Sequence, residues 1–97
     1  MNTSTAKPTV TIELLDGDEA RAIAAAVEED NPGATVDYLL GIVAISAPSP
    51  MVVNRATVEM HLGGRFYNLR HIQEIVADFY GNLVASSEDQ WILEWRH

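Results

Sequence analysis

Residues 9–33 read TVTIELLDGDEARAIAAAVEEDNPG, and the spacing of the apolar residues changes partway along this stretch. At its start Val10, Ile12 and Leu14 occupy every second position, which predicts a strand with one buried face. From about Asp18 to Glu29 the apolar residues recur at intervals of three or four, which predicts an amphipathic helix. The strand and the helix that follows it are the first two elements of the predicted fold.

The predicted helix has a narrow apolar stripe and signals at both ends. The stripe consists of Ala20, Ile23, Ala24 and Val27. Because alanine is small, such a stripe allows the helix to lie close to a sheet. Asp16 with Glu19 three residues later matches a capping box, which would begin the helix. Asn31-Pro32-Gly33 would end it, since the residue before proline avoids helical geometry and glycine turns the chain.

Two β-type runs follow, over residues 35–40 and 42–46, with Gly41 between them. They predict either a hairpin or one strand broken by a bulge. Residues 47–50 (APSP) indicate a rigid turn, and residues 51–53 indicate a brief strand.

Two short helices are predicted next. Asn54 is placed to cap a helix over residues 55–62, which Gly63-Gly64 would end. Asn68 is placed to cap a second helix, which would run to about Gln73. The inward-facing residues of these helices are expected to be Val58, Leu62, Leu69 and Ile72.

Strand patterns return near the end of the chain. Residues 75–80 and 83–85 indicate a strand that is interrupted at Gly81-Asn82, and residues 90–95 (QWILEW) indicate a last strand. The apolar face of that last strand would consist of Trp91, Leu93 and Trp95. We favour a core role for the two tryptophans over a binding platform.

The elements together predict an α+β domain with mostly antiparallel short strands packed against two or three helices. The order strand, helix, strand, strand occurs twice, over residues 9–46 and 50–95, so we expect two β-α-β-β units. Residues 1–8 are polar and are expected to form a flexible N-terminal tail. Residues 9–97 are expected to form a single domain.

Charge restricts the class of partner. The 97 residues include 6 basic and 14 acidic side chains, for a net charge of −8. An acidic surface repels phosphate backbones and anionic lipid, so we expect neither nucleic acid nor a membrane as partner. A protein with a basic groove fits better. The sequence holds no cysteine, which excludes disulfides and thiolate metal sites, and a cytoplasmic location is expected.

No catalytic motif stands out, and the only metal-type spacing is weak. His71 and Glu74 lie three residues apart and could share a helix face, with Glu59 and His61 as the nearest further ligands. We favour solvated residues on a helix over a metal site. The acidic run Glu28-Glu29-Asp30 also allows two interpretations, a docking role or a solvated helix face. We favour the solvated face.

Residues 79–82 (FYGN) place two aromatics before a Gly-Asn kink. Glycine inside a strand indicates a bulge or a close backbone approach, and bulges often lie beside functional surfaces. Either both rings pack in the core, or strand alternation turns one ring outward. The residues alone leave both interpretations open.

Several segments resemble one family in the right order. They are residues 28–32 (EEDNP, compare "DNP"), 41–48 (GIVAISAP, compare "GMVKIDAP"), 55–59 (RATVE, compare "RETVE"), 64–69 (GRFYNL, compare "GR.FDL"), 81–83 (GNL, compare "GNI") and 91–95 (WILEW, compare "F.L.W"). On these segments the chain resembles the effector or coupling proteins of soluble diiron monooxygenases, which act on phenol, toluene, alkenes, propane and methane. The resemblance covers about residues 10–96. Residues 78–80 (DFY) are bulkier than the small residues that are usual before the Gly-Asn.

The resemblance implies a regulatory protein that is not itself an enzyme and that holds neither metal nor organic cofactor. Such a protein docks on the α subunit of a diiron hydroxylase. There it controls oxygen activation, substrate access and the coupling of NADH oxidation, by a separate reductase, to hydroxylation. The docking residues that the resemblance implies are Ala77, Asp78, Phe79, Tyr80 and Gly81.

Two alternatives remain at this point. One is a stand-alone acidic α+β domain that binds a small ligand or another protein. The other is a metalloenzyme that uses His61, His71 and Glu74.

Overall fold

The computed structural model describes residues 8–95, which form two antiparallel sheets and three α-helices, and the predicted α+β class is confirmed. The elements are β1 (Thr9–Leu15), α1 (Asp18–Asp30), β2 (Thr35–Leu39), β3 (Ile42–Pro48), β4 (Met51–Asn54), α2 (Arg55–His61), a 3₁₀ turn (Leu69–His71) that leads into α3 (Ile72–Ile75), β5 (Val76–Tyr80), β6 (Asn82–Ser86) and β7 (Gln90–Glu94). The predicted tail, apart from Pro8, lies outside the described residues. The single domain over residues 9–97 stays a prediction.

The same strand topology occurs in both halves of the chain. The first sheet has the order β2-β3-β1-β5, and the second has the order β4-β7-β6. In each half a strand and a helix are followed by a hairpin, whose second strand pairs antiparallel with the first strand of that half. The two predicted β-α-β-β units are therefore present. Strand β5 is an addition, because it lies in the second half of the chain and pairs with β1.

The core lies between the inner faces of the sheets and α1. Val10, Ile12 and Leu14 are fully buried on one face of β1, as their alternation predicts. The whole predicted stripe of α1 is buried as well. Burial of one such aliphatic side chain contributes about 1.5–3 kcal/mol, so these residues supply much of the stabilising free energy.

Asn31 joins the two units. It is buried directly after α1, where its side-chain NH₂ donates to the carbonyls of Val27 at 3.0 Å and Val52 at 2.8 Å. The N–H of Val52 in turn donates to Asn31 Oδ1 at 2.8 Å. The end of α1 is thus fastened to β4 by a buried amide whose hydrogen bonds are satisfied, as buried polar groups require.

The predicted capping box at the start of α1 is wrong. Gly17 occupies the N-cap position, and no side chain caps the helix there. The Asp16 carboxylate accepts from Arg21 Nε at 2.9 Å and Nη2 at 3.0 Å, and this guanidinium holds the pKa of Asp16 below its usual value. The Glu19 carboxylate accepts from the hydroxyl of Tyr67 at 2.6 Å. Both acids therefore bind side-chain donors, which leaves neither for the helix end.

The two predicted asparagine caps have different outcomes. Asn68 accepts from the N–H of Arg70 at 2.9 Å and caps the 3₁₀ turn, as predicted. Asn54 occupies the N-cap position of α2 but makes no cap bond. Its side chain donates to Asp30 at 3.1 Å and accepts from Gln90 at 2.9 Å, because those partners on neighbouring elements take its polar atoms.

Two predictions about strands have clear outcomes. The hairpin interpretation of residues 35–46 is the correct one, since β2 and β3 pair antiparallel. Trp95 does not share the buried face of Trp91 and Leu93, because β7 ends at Glu94 and the N–H of Trp95 donates to Ser49 Oγ at 2.9 Å.

No helix within residues 8–95 combines the length and apolar composition needed to cross a membrane.

Candidate functional site

The strands β5 and β6 meet at Gly81 but belong to different sheets. β5 lies at the edge of the first sheet, and β6 lies at the edge of the second. The prediction of one interrupted strand over residues 75–85 is therefore wrong. Gly81 is the point at which the chain passes from one sheet to the other, and a local sequence pattern cannot show that its two sides pair with different strands.

Only glycine fits at this junction. Gly81 has φ +141°, and a Cβ there would lie 3.0 Å from Val10 Cγ1 and 3.1 Å from Leu93 Cγ. The carbonyl oxygen of Glu94 would lie 3.2 Å away. The prediction of a close backbone approach is confirmed, since the backbone of residue 81 lies against both sheets.

Each strand also carries a bulge. In β5, Asp78 lies opposite Glu13 and Val76 lies opposite Leu14, so Ala77 is the extra residue. In β6, Leu83 lies opposite Leu93 and Ala85 lies opposite Ile92, so Val84 is the extra residue. Bulges bend an edge strand and discourage further strand pairing, which leaves side chains as the means of contact.

The two aromatic rings of β5 have different surroundings. The ring of Phe79 meets the ring of Trp91 edge to face, with centroids 6.1 Å apart and planes at 87°. Phe79 nevertheless stays 38% exposed, and Tyr80 is 52% exposed. The interpretation in which both rings pack in the core is therefore wrong, because β5 is an edge strand that pairs only with β1 among the strands of residues 8–95.

Four large apolar side chains are exposed within six consecutive residues. They are Phe79, Tyr80, Leu83 and Val84, and we refer to them as the bend patch. Exposed large apolar side chains this close together along the chain indicate a candidate interaction surface. Ala77 and Asp78 are exposed beside the patch, so the structure places the predicted docking residues, apart from half-buried Gly81, on the surface.

The charge beside the patch is negative. Asp78 lies directly opposite Glu13 in the strand ladder, and the N–H of Phe79 donates to Asp78 Oδ1 at 2.8 Å. The Asp78 carboxylate, and after it that of Glu13, raise the pKa of the exposed Tyr80 hydroxyl. The site therefore combines apolar contact area with an acidic margin.

The structure does not bring the candidate metal ligands together. His61 Nε2 lies 2.9 Å from Glu29 Oε1, while the His71 ring meets the edge of Tyr67 at a centroid distance of 5.8 Å. Within residues 8–95 no three His, Asp or Glu side chains are grouped closely enough to hold a metal ion. The metalloenzyme alternative therefore has no structural support.

The acidic run at the end of α1, Glu28-Glu29-Asp30, serves mainly to join elements. The Asp30 carboxylate accepts from Thr57 Oγ1 at 2.6 Å as well as from Asn54, and Glu29 pairs with His61 on α2. Of these three acids, only Glu28 is exposed without such a bond to the rest of the described chain. The sequence offers no local signal for these contacts, because the partners lie more than twenty residues away.

Proteins that are similar to this chain include a stimulatory component and chains of a hydroxylase–regulatory protein complex. A family model described as the MmoB/DmpM family matches residues 8–94. The stimulatory component DmpM of phenol 2-monooxygenase from Pseudomonas sp. (strain CF600) is 32% identical over 90 residues, which cover 91% of this chain and 96% of the relative.

Two solved structures of a phenol hydroxylase–regulatory protein complex each contain a chain of this fold. One has a TM-score of 0.79 and 35% identity, and it covers 92% of this chain and 100% of the matched chain. The other has a TM-score of 0.74 and 34% identity, and it covers 91% and 100% respectively.

Proposed function

The chain belongs to the MmoB/DmpM family, and from this premise we propose that it is the regulatory component of a multicomponent monooxygenase. It is a non-catalytic subunit, since its relative is a stimulatory component. Its partner is a hydroxylase, because the similar structures are complexes of a hydroxylase with its regulatory protein.

The proposed action is a change in the hydroxylase and not chemistry on this chain. We propose that it docks on the α subunit of a diiron hydroxylase and controls oxygen activation, substrate access and the coupling of NADH oxidation to hydroxylation. A bound protein shifts a conformational equilibrium only by its difference in affinity for the two states. A tenfold shift toward the active state requires about 1.4 kcal/mol of such difference.

The substrate class that we propose is a phenol. The relative and both complexes concern phenol hydroxylase, at 32–35% identity over most of the chain. The proposal includes a cytoplasmic location, where an NADH-dependent reductase would operate, and a single working domain over residues 9–97.

The proposed docking residues are Ala77, Asp78, Phe79, Tyr80 and Gly81, extended by the rest of the bend patch. The observation that supports this choice is the exposure of four large apolar side chains within residues 79–84. Aromatic residues in a small apolar cluster with a polar margin are typical of the few residues that dominate binding energy in interfaces.

The test is a titration of this protein into the hydroxylase and reductase of its host, with product formed per NADH consumed as the readout. Product per NADH should rise and reach a plateau near one protein per active site. A flat response, from a hydroxylase that another effector can activate, would contradict the proposed function.

The docking strand is tested by Phe79→Ala and Tyr80→Ala. Each should weaken binding by about tenfold and lower coupled turnover at sub-saturating protein, while the fold stays intact. Phe66→Ala is the matched control, since Phe66 is 68% exposed outside the patch. If Tyr80→Ala and Phe66→Ala gave the same turnover as the unaltered protein, the docking assignment would be wrong and the regulatory function would stand.

A further inference from the structure

The first sheet has one face that the described residues leave uncovered. Its inner face carries the buried side chains of β1 and β3, whereas none of the side chains on the opposite, outer face is buried. Asp78 and Tyr80 of the proposed docking strand lie on this outer face, because they pair with Glu13 and Thr11. The outer face is therefore continuous with the docking strand.

The outer face has apolar side chains at two corners and an acidic row between them. Tyr80 is exposed at one corner, and Leu15 and Leu39 are 51% and 57% exposed at the diagonally opposite one. The row between them crosses all four strands in the order Asp37, Ala44, Glu13 and Asp78. The outer face therefore offers apolar contact area at two corners and a row of carboxylates between them.

Ala44 makes a gap in the acidic row. Neighbouring strands lie about 4.8 Å apart, so the Cα atoms of Asp37 and Glu13 are separated by roughly 10 Å, with only the methyl group of Ala44 between them. This leaves a shallow slot with a carboxylate on each side. A long basic side chain would fit over the methyl group of Ala44, between the two carboxylates.

The carboxylates of the row form no ion pair in the described part of the chain. The ion pairs within residues 8–95 involve other acids, and none of them reaches Asp37, Glu13 or Asp78. Like charges placed directly opposite each other in a ladder, as Glu13 and Asp78 are, destabilise a sheet. The raised pKa of the neighbouring Tyr80 has the same origin. A basic side chain from outside would relieve this repulsion.

We infer that the outer face docks against the hydroxylase and that a basic side chain of the hydroxylase lies over Ala44, between Asp37 and Glu13. Arginine is the residue that fits this position best. This inference rests on the proposed function and adds the second half of the docking surface. An arginine suits the slot because its planar fork forms charge-assisted hydrogen bonds with carboxylates. The same contact makes docking sensitive to salt, as exposed charge pairs are.

The experiment is Ala44→Lys, which fills the slot with a lysine of the protein itself. The dissociation constant for the hydroxylase should rise at least tenfold, while the melting temperature of the free protein stays the same or rises. Ala56→Lys is the matched control, because it makes the same substitution and charge change at an exposed position of α2. The control should change the dissociation constant by less than twofold.

A second variant, Glu13→Gln, avoids any dependence on how well the lysine folds. It should weaken hydroxylase binding and reduce the dependence of binding on salt concentration. The inference would be overturned if Ala44→Lys and Ala56→Lys had equal dissociation constants and Glu13→Gln bound the hydroxylase as the wild type does. The proposed function would still stand in that case if the wild-type protein stimulated the hydroxylase. A wild-type dimer that Ala44→Lys disperses in sedimentation would also overturn the inference, because a second copy would then be the occupant.

Discussion

The two β-α-β-β units have the same topology but differ in what they bury and what they expose. The first unit has a 13-residue helix and two strands, β1 and β3, whose inner faces are fully buried. The second has a seven-residue helix, sends β5 to the sheet of the first unit and exposes the bend patch. A repeated topology can thus divide its tasks, with one copy building most of the core and the other presenting the surface for a partner.

The second unit therefore depends on its contacts with the first. Three of those contacts are specific enough to test: the buried amide of Asn31, the passage of the chain at Gly81, and the hydrogen bond from Tyr67 to Glu19. If the second unit depends on the first through these contacts, substitutions that remove them should lower the free energy of unfolding. The loss should be largest for Asn31, smaller for Gly81 and smallest for Tyr67.

Asn31→Ala should have the largest effect. It leaves the part-buried N–H and C=O groups of Val52 without their side-chain partners, and each such loss costs about 1–3 kcal/mol. We expect the free energy of unfolding in urea to fall by about 2–4 kcal/mol. Asn82→Ala, at an exposed position, should change it by less than about 0.5 kcal/mol. Similar losses for the two variants would mean that Asn31 does not join the units.

Gly81→Ala should have the next largest effect, at about 1–3 kcal/mol, because the positive φ and the contact with Val10 both oppose a Cβ. Gly41→Ala is the comparison variant. Gly41 also has a positive φ, of +73°, but a Cβ there would meet nothing within 4 Å. The difference in unfolding free energy between the two variants therefore measures the crowding at the junction together with the extra backbone strain of φ +141°, and no difference would show that the backbone of residue 81 has room to move.

Tyr67→Phe should have the smallest effect, about 1 kcal/mol at neutral pH, because it removes only the bond to Glu19. Burial, and after it the bond to Glu19, raise the pKa of Tyr67 above its ordinary value of 10.0. The folded protein thus keeps the proton at pH values where the unfolded chain loses it. The contribution of Tyr67 is complete below about pH 10 and is lost as the pH rises through the folded-state pKa.

The measurement is the unfolding free energy of both proteins between pH 8 and 11. The advantage of the unaltered protein over Tyr67→Phe should shrink above about pH 10. An advantage that stayed constant to pH 11 would show that the hydroxyl does not hold its proton against Glu19.

Local patterns in the sequence predicted most of the elements and the buried face of β1. They failed where a side chain chose a distant partner. Asp16 and Glu19 have the spacing of a capping box, but Glu19 binds Tyr67, which lies 48 residues away in the chain. Asn54 and Asn68 look equivalent in the sequence, and only the neighbouring positions of Asp30 and Gln90 decide that Asn54 is not a cap.

The candidate site shows the same division. The Phe-Tyr-Gly-Asn stretch and the family resemblance pointed to residues 77–81, and this docking assignment stays a prediction. The acidic row had no signal in the sequence, because Asp37, Glu13 and Asp78 become neighbours only through the register of four strands.

By itself the sequence determined the α+β class, the repeated order of elements and the membership of the family, because each depends on residue types at fixed short spacings. The tertiary structure alone decided that β5 and β6 belong to different sheets, that the acids of α1 bind side chains of the second unit, and that residues 8–95 leave one face of the first sheet uncovered. These features depend on which strand edges and carboxylates meet across the fold, and hydrogen bonds between residues far apart in the chain leave no periodic trace in it.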